Sequence, residues 1–408
     1  MKMRRAAPRR PSAVIACVLT GLLAAAAAAG CGAPQAGIQA LPAVTITAQP
    51  QLSVPVPSSG GTWAVVPMGK SGTNLFWELF MQPAGTARWA LATPPGVADN
   101  GGLIAAAGGG QWLTAGFRPS QRLTFSPLAA TANAGRTWSA LPGVLPAGLA
   151  ADPDALAAGP GGKLLALTQV DGGTVYSSDG GRWAGFTTGA SLARQPAARA
   201  CGVSRLTAVT IAADGTPFAG AECRKSGTIG IFSFAGSSWQ PTGPVLPPSL
   251  RSATVRVLRL TTATAGTASV LAASAGTRRW IIGAWAGGAP SGGAPAGGRA
   301  QHWTQTMPLE IGAAQVLTAA PGPEGELYVL LRSAGTNRLK MCQTQGSLWQ
   351  CSSTVPAGTA TIVPGAAGPA EALAVQGGQL TVWSETAGDH AWKVIQTINV
   401  SIPYGSAG

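Results

Sequence analysis

The 408-residue chain carries 27 Lys plus Arg against 14 Asp plus Glu, yet only 10% of its residues are charged, while 57 are Gly and 32 are Pro. Charge this thin, with no basic run in the body of the chain, excludes a nucleic-acid binder, which gathers its cations on one face. Recurrent Leu, Val, Ile and Trp exclude a disordered chain and leave a large all-β domain with tight turns.

The first ten residues hold Lys2, Arg4, Arg5, Arg9 and Arg10 and no acid, and an uncharged apolar run follows from Ala13 to Ala29. That run is about 17 residues, the lower edge of what crosses a bilayer of roughly 30 Å, and it ends in small residues, the layout of a secretory signal. Residues 1–30 are therefore read as a signal peptide. Ala28-Ala29-Gly30-Cys31 resembles the lipobox of bacterial lipoproteins, with Ala28 where leucine is usual. The resemblance implies cleavage before Cys31, lipidation of its thiol and anchoring to the outer face of the bacterial cell membrane. Arg9-Arg10 raises twin-arginine export, but Pro11 and Ser12 do not support it, so the route is left open. Taking away the five basic residues of the signal leaves 22 Lys plus Arg against 14 acids, a modest excess suited to an anionic membrane or wall.

Residues 31–59 form the lipidated start and a linker rich in Pro, Ala, Gln and Ser, read as a disordered tether. The stretch from Leu52 to Val56 is also able to pair as a strand. Residues 60–402 form the folded domain and residues 403–408 a tail.

Within that domain tryptophans at 89, 138, 183, 239, 303, 349 and 392 each follow a turn of small and polar residues. Their mean period is about 50 residues, in the range of propeller blades of the kelch and WD40 kinds. Short apolar runs divided by Gly, Asp or Asn precede each tryptophan. One unit runs through Ala155–Ala158, Lys163–Thr168, Thr174–Ser177 and Trp183, with Gly-Gly or Asp-Gly turns between. The pattern predicts up-and-down sheets of four strands. Seven such units predict an all-β, seven-bladed β-propeller of four-stranded antiparallel blades, because one sheet alone leaves both faces apolar. The Gly/Ala/Pro stretch 287–298 is read as a loop between the third and fourth strands of the fifth blade.

Thr131-Ala-Asn133-Ala-Gly135-Arg-Thr137-Trp138 resembles the Asp-box of the sialidase-like repeat family, with Asn133 in the acidic position. Ser177-Ser-Asp179-Gly-Gly181-Arg-Trp183 resembles the same box one residue short. The resemblance implies a structural rim turn in which hydroxyl and carboxylate bond backbone amides, glycine takes positive φ and tryptophan packs between sheets.

Cys17 leaves with the signal and Cys31 takes lipid, so Cys201, Cys223, Cys342 and Cys351 remain, an even number fit for disulfides outside the cytoplasm. Three pairings are open, and the local one is favoured. Cys342 and Cys351 bracket a hairpin that brings them together. Cys201 and Cys223 bracket another, turning at Asp214-Gly215, though its simplest register does not oppose them. No Cys-x-x-Cys exists and the histidines, His302 and His390, lie elsewhere, so no metal or cofactor is expected.

The sialidase-like resemblance invites a glycosidase. Phe117-Arg118-Pro119 lacks the isoleucine of the family's arginine motif and sits in the second unit. Tyr176 adjoins a rim turn, Tyr328 is mid-strand and Tyr404 is in the tail. Asp152 with Asp154, and Glu324 with Glu326, sit in Pro/Gly turns and read as solvated caps rather than the facing carboxylates of hydrolysis. The extra tryptophans at 63, 77, 112, 280, 285 and 383 read as strand residues of the core. The expectation is a monomeric cell-surface binding module for a protein, glycan or wall component, without catalytic residues. The alternative is a diverged glycoside hydrolase of the sialidase-like superfamily.

Overall fold

The structure is a computed structural model. It describes residues 54–56, 61–69, 76–94, 103–107, 112–117, 128–141, 153–169, 172–179, 182–263, 266–287, 302–322, 325–352, 354–365, 368–386 and 391–400. The signal, Cys31, Arg118, Asp152, Gly181, the loop 288–301, Glu324, His390 and Tyr404 lie outside the described residues.

The architecture is all-β. The first sheet contains β1 (Val54–Val56), β2 (Gly61–Met68), β3 (Phe76–Pro83) and β4 (Ala90–Leu91), antiparallel and in chain order. The second contains β5 (Leu103–Ala107), β6 (Leu113–Phe117), β7 (Leu128–Thr131) and β8 (Ser139–Ala140). The third contains β9 (Pro153–Ala158), β10 (Leu164–Thr168), β11 (Thr174–Asp179) and β12 (Arg182–Thr188).

A nine-stranded sheet follows. One half is β13 (Val203–Ile211), β14 (Pro217–Cys223), β15 (Gly230–Ala235) and β16 (Ser238–Pro241). The other half is β17 (Thr254–Ala263), β18 (Gly266–Ala275) and β19 (Arg278–Ala286), with β20 (Trp303–Gln305) and β21 (Leu309–Glu310) both laid along β19. A single residue pair, Glu222 opposite Arg256, joins the halves. Two more four-stranded sheets complete the chain: β22 (Gln315–Pro321), β23 (Leu327–Arg332), β24 (Leu339–Gln345) and β25 (Leu348–Ser352), then β26 (Thr359–Val363), β27 (Glu371–Gln376), β28 (Gln379–Glu385) and β29 (Trp392–Asn399). The strand β1 lies within the segment assigned to the linker and pairs with β2.

The continuous apolar runs are explained by cover on both faces. Successive strand residues point to opposite sides of a sheet. In β10, Leu164 and Ala166 pack with Leu128 of the second sheet, whereas Leu165 and Leu167 pack with Leu206 and Val209 of β13. In β23, Leu327, Val329 and Leu331 face Val270 and Ile281, whereas Leu330 faces Ile362 and Ala372 of the last sheet. The same division in β2 sends Trp63 and Val65 to the second sheet, and Ala64, Val66 and Met68 to Leu373, Leu380 and Val382 of the last. The last sheet thus shares a core with the first. Each large side chain fully buried this way contributes about 1.5–3 kcal/mol.

The periodic tryptophans all sit at or beside the fourth strand of a unit and reach back to the preceding one. The Trp138 indole N–H donates to the carbonyl of Ala92 at 3.1 Å, that of Trp303 to Thr242 Oγ1 at 3.0 Å, and that of Trp349 to Thr306 Oγ1 and the Met307 carbonyl, each at 3.0 Å. Trp89 reaches Glu371 of the last sheet at 2.6 Å. Trp239 instead meets the ring of Phe186 edge-on at 5.5 Å. An amphipathic ring suits the place: its body fills the seam, and at Trp89, Trp138, Trp303 and Trp349 its N–H finds an acceptor at the edge, whereas the indole nitrogens of Trp183 and Trp392 are buried without one.

Close approach also dictates small residues. A Cβ on Gly220 of β14 would lie 2.6 Å from Val257 Cγ1 of β17. The short helix α1 (Gly189–Arg194) begins with a capping box between Thr188 and Ser191. At six residues it is too short to leave the helical period that the sequence lacks.

Both local disulfides are present. Cys342 lies opposite Cys351 across β24 and β25. Cys223 of β14 lies opposite Val203, and Cys201, two residues before, turns back to reach it at a Cα separation of 4.8 Å.

Candidate functional site

The first strands of successive units lie against one another: β5 on β9, β9 on β13, β13 on β17, and β22 on β26. Side chains bind these neighbours together. Thr207 Oγ1 donates to the Val257 carbonyl at 2.7 Å, and the hydroxyls of Thr318 and Thr361 meet at 3.3 Å. Such bonds satisfy polar groups that would otherwise be orphaned among apolar walls.

Between β5, β9, β13 and β17 the strands leave a pocket of about 30 Å³, lined among others by Ala105, Asp154, Leu156, Thr207, Leu258 and Arg259. One water needs about 10–15 Å³, so the interior of the pocket has room for one or two.

Asp154 corrects the sequence reading. It is not a solvated turn residue: β9 starts at Pro153, and Asp154 is 6% exposed within that strand. Proline lacks the N–H that an interior strand residue would need and is at home at a strand's first position, so the strand starts before the apolar run. The Asp154 carboxylate accepts from Gln169 Nε2 at 2.7 Å.

Of two arginines of β17, Arg256 lies in the field of Asp154 and Arg259 lines the same pocket as that carboxylate. Burial lowers the Arg256 pKa, as does the charge of Arg205, against the raising influence of Glu222 and Asp154. Arg205 is itself paired with Glu222 at 2.9 Å. Arg259 keeps partial access through the pocket it lines, yet burial lowers its pKa to about 10. Its Nε is buried without a hydrogen-bond partner.

Two further carboxylates are buried for structural ends. Glu371 takes the Trp89 indole N–H and both of its oxygens accept from Gln82 Nε2, at 3.1 and 3.2 Å, so it joins the last sheet to the first. Burial raises its pKa against those two hydrogen bonds. Burial likewise raises Glu78, whose carboxylate accepts from the Thr93 hydroxyl. None of Tyr176, Tyr328, Glu326 and His302 lines the pocket. Among the described residues no three His, Cys, Asp or Glu side chains stand together to hold a metal ion.

In the turn from Thr131 to Trp138, the Thr131 hydroxyl accepts from the amides of Asn133 and Gly135, and Asn133 Oδ1 accepts from the Thr137 amide at 2.9 Å. Gly135 takes φ 81°, and the Trp138 ring meets Trp63 edge-on at 6.5 Å. At the second position Asp179 is exposed and pairs with Arg182 across a tight hairpin, while Trp183 is buried. Both turns lie away from the pocket.

The outside offers a different feature, one that no motif announced. Val245, Met307 and Leu348 are 85%, 61% and 60% exposed. They belong to three separate segments, yet hydrogen bonds draw them together. Gln305 Nε2 donates to the Val245 carbonyl at 2.7 Å, and the Met307 amide donates to the Ser347 carbonyl at 2.7 Å. The preceding Pro-rich strand exit and a hairpin tip supply the flanks.

Fold and site together define an all-β protein of five four-stranded antiparallel sheets and one nine-stranded sheet among the described residues, with a small pocket between β5, β9, β13 and β17 and three exposed apolar residues on neighbouring segments. No family model and no curated protein matches the chain. Among solved structures, it resembles YCF48 bound to D1 peptide at 14% identity and TM-score 0.41, covering 79% of this chain and 93% of that one. A Bacteroides fragilis protein named as a candidate 6-phosphogluconolactonase is similar at 16% identity and TM-score 0.48, covering 85% and 97%. A lectin of Aleuria aurantia in complex with Fucα1-6GlcNAc is similar at 13% identity and TM-score 0.40, covering 74% and 97%.

Proposed function

We propose that the chain is a seven-bladed β-propeller held to the outer face of a bacterial membrane by lipid on Cys31, and that it binds a protein, glycan or wall component without catalysing a reaction. The count of seven takes the two halves of the nine-stranded sheet as separate blades, since one residue pair joins them. The anchor rests on the basic start, the apolar run and Ala28-Ala29-Gly30-Cys31. Replacing Cys31 by Ser should move the protein from the membrane fraction to the medium; retention on the membrane would remove the anchor from the proposal.

The observation that carries the binding role is the patch of Val245, Met307 and Leu348. Scattered exposed apolar residues are ordinary, but exposed apolar residues on three segments held together by hydrogen bonds point to an interaction site. Serine at all three positions should leave the fold intact, because exposed substitutions shift stability by about 0.5 kcal/mol or less each. A photo-crosslinker at Met307 on living cells should trap a partner that the same group at exposed Thr336 does not. Equal trapping at both positions, or none, would count against the patch. Hydrolysis of a sialoside or other glycoside at enzyme-like rates by the chain would instead favour the diverged hydrolase.

A further inference from the structure

Arg259 is the least expected side chain of the interior. Guanidinium groups are buried with a carboxylate or not at all, because leaving water without a partner is costly for an ion. Arg205, which pairs with Glu222, is exposed. Arg259 breaks the rule: among the described residues it forms no ion pair, and its Nε, like that of Arg256, is buried without an acceptor. The acid in the same pocket, Asp154, accepts from Gln169 and lies in the field of Arg256, whereas burial alone acts on Arg259. Arg256 thus lies in the field of two carboxylates, Glu222 and Asp154, whereas none acts on Arg259.

The walls add to the effect. Ile104, Leu156, Leu258 and Leu260 bring apolar surface to the pocket, and little of the ordinary dielectric screening survives there. Thr207 cannot help as a donor, since its hydroxyl is given to the Val257 carbonyl. The guanidinium fork is left as the pocket's free donor set, shaped to hold a planar carboxylate or to cup a halide.

We propose that this pocket is an anion site in which Arg259 holds one small monoanion, of chloride to acetate size, at the centre of the wheel. The small interior space, about 30 Å³, favours a small ion over a large one. Monoanion chemistry is shared by a free halide and by a small carboxylate, and the two are separable by titration. The site is independent of the outer patch and of the lipid anchor, so its failure would leave the proposed function standing.

The test uses the intact chain in gluconate buffer, gluconate being a far larger anion than chloride or acetate, at constant ionic strength. Chloride or acetate should raise the unfolding midpoint in a saturable way, because a ligand bound only by the folded state stabilises it. The chloride-35 resonance should broaden on adding protein, and acetate should reverse that broadening. Whichever ion saturates at the lower concentration is the preferred occupant. Arg259→Met should abolish both responses and unfold at a higher temperature than the parent in gluconate. Arg259→Lys keeps the charge without the fork and should bind at least fivefold more weakly. An absence of saturable response in the parent, or an undiminished one in Arg259→Lys, would overturn the proposal even if Arg259→Met does not fold.

Discussion

Trp89 is only 2% exposed and spends its one polar side-chain atom on Glu371, a residue almost three hundred positions away. The carboxylate so engaged is half-buried, and desolvation raises its pKa above the ordinary value despite the bonds from Trp89 and Gln82. A raised carboxyl pKa means that the folded chain holds its proton to higher pH than the unfolded chain does. Its stabilising contribution is fully present below the unfolded value and is lost as pH rises through the folded one. Glu371→Gln keeps an acceptor for Trp89 without the charge. Its stability relative to the parent should therefore improve as pH rises from 4 to 7, read by urea unfolding at each pH. A difference that stays constant over that range would show that the carboxyl is not perturbed. Glu371→Ala should lose about 1–3 kcal/mol, because Trp89 and Gln82 lose their acceptor inside the seam.

Gly135 makes the second residue-scale case. It adopts φ 81°, and an added Cβ would lie 2.9 Å from the Ala92 methyl and 3.2 Å from the Trp63 ring. Gly85 has a similar φ of 74° with nothing within 4 Å of that position. Gly85→Ala should cost only the left-handed backbone, about 1–2 kcal/mol. Gly135→Ala should cost more, since the methyl must also displace the seam. Thermal unfolding of the two variants side by side measures the excess. The Thr131–Trp138 motif could be seen in the sequence, but its neighbours Ala92 and Trp63 come from another sheet and could not.

At the scale of elements, hairpins were the most legible part of the chain. Gln345 lies opposite Leu348, so the turn at Gly346-Ser347 sets a register in which Cys342 meets Cys351. The Cys201 connection was less legible for a definite reason. Cys201 precedes β13, and the register of β13 against β14 shifts between Val203 and Arg205. A bulge inserts a residue into one strand and breaks the alternation that sequence reasoning counts on. Fourth strands of two residues, such as Ala90–Leu91, leave no period at all. Arg259 escaped notice because a basic residue among Val, Leu and Thr reads as a strand's exposed side, and only the neighbouring sheets show that it faces inward.

The two disulfides should separate on reduction. Cys351 is exposed, whereas Cys201 and Cys223 are 3% and 0% exposed. Thiol exchange needs access to a sulfur. Graded reductant followed by alkylation and peptide mass mapping should label Cys342 and Cys351 first, and Cys201 and Cys223 only as the chain unfolds. Simultaneous labelling of all four would contradict this order. On a chain-entropy model the loop of 22 residues closed by Cys201–Cys223 gives about 3 kcal/mol, so the second reduction should coincide with a large fall in the unfolding midpoint.

The whole molecule poses a question that period alone does not answer. Seven tryptophans at even spacing fit an open row of sheets as well as a closed wheel. Closure depends on contacts between the chain's ends, which no local pattern encodes. They are present: Gln396 and Trp89 exchange backbone and side-chain bonds at 2.7 and 2.8 Å, and Ala64, Val66 and Met68 share a core with Val363, Leu373 and Val382. The two architectures respond differently to loss of the last unit. In an open row each sheet is stabilised by its neighbours, so removing an end sheet leaves a folded remainder with a smaller surface change on unfolding. In the wheel, removing residues 356–408 uncovers two apolar faces at once, one on the sixth unit and one on the first. Truncation at Val355 should therefore abolish the single cooperative urea transition and expose dye-binding apolar surface, while Glu371→Gln in the intact chain keeps it. A truncated chain that still unfolds in one sharp transition, with its urea slope reduced in proportion to its length, would mean that the end-to-end core is dispensable and that the sheets behave as a row.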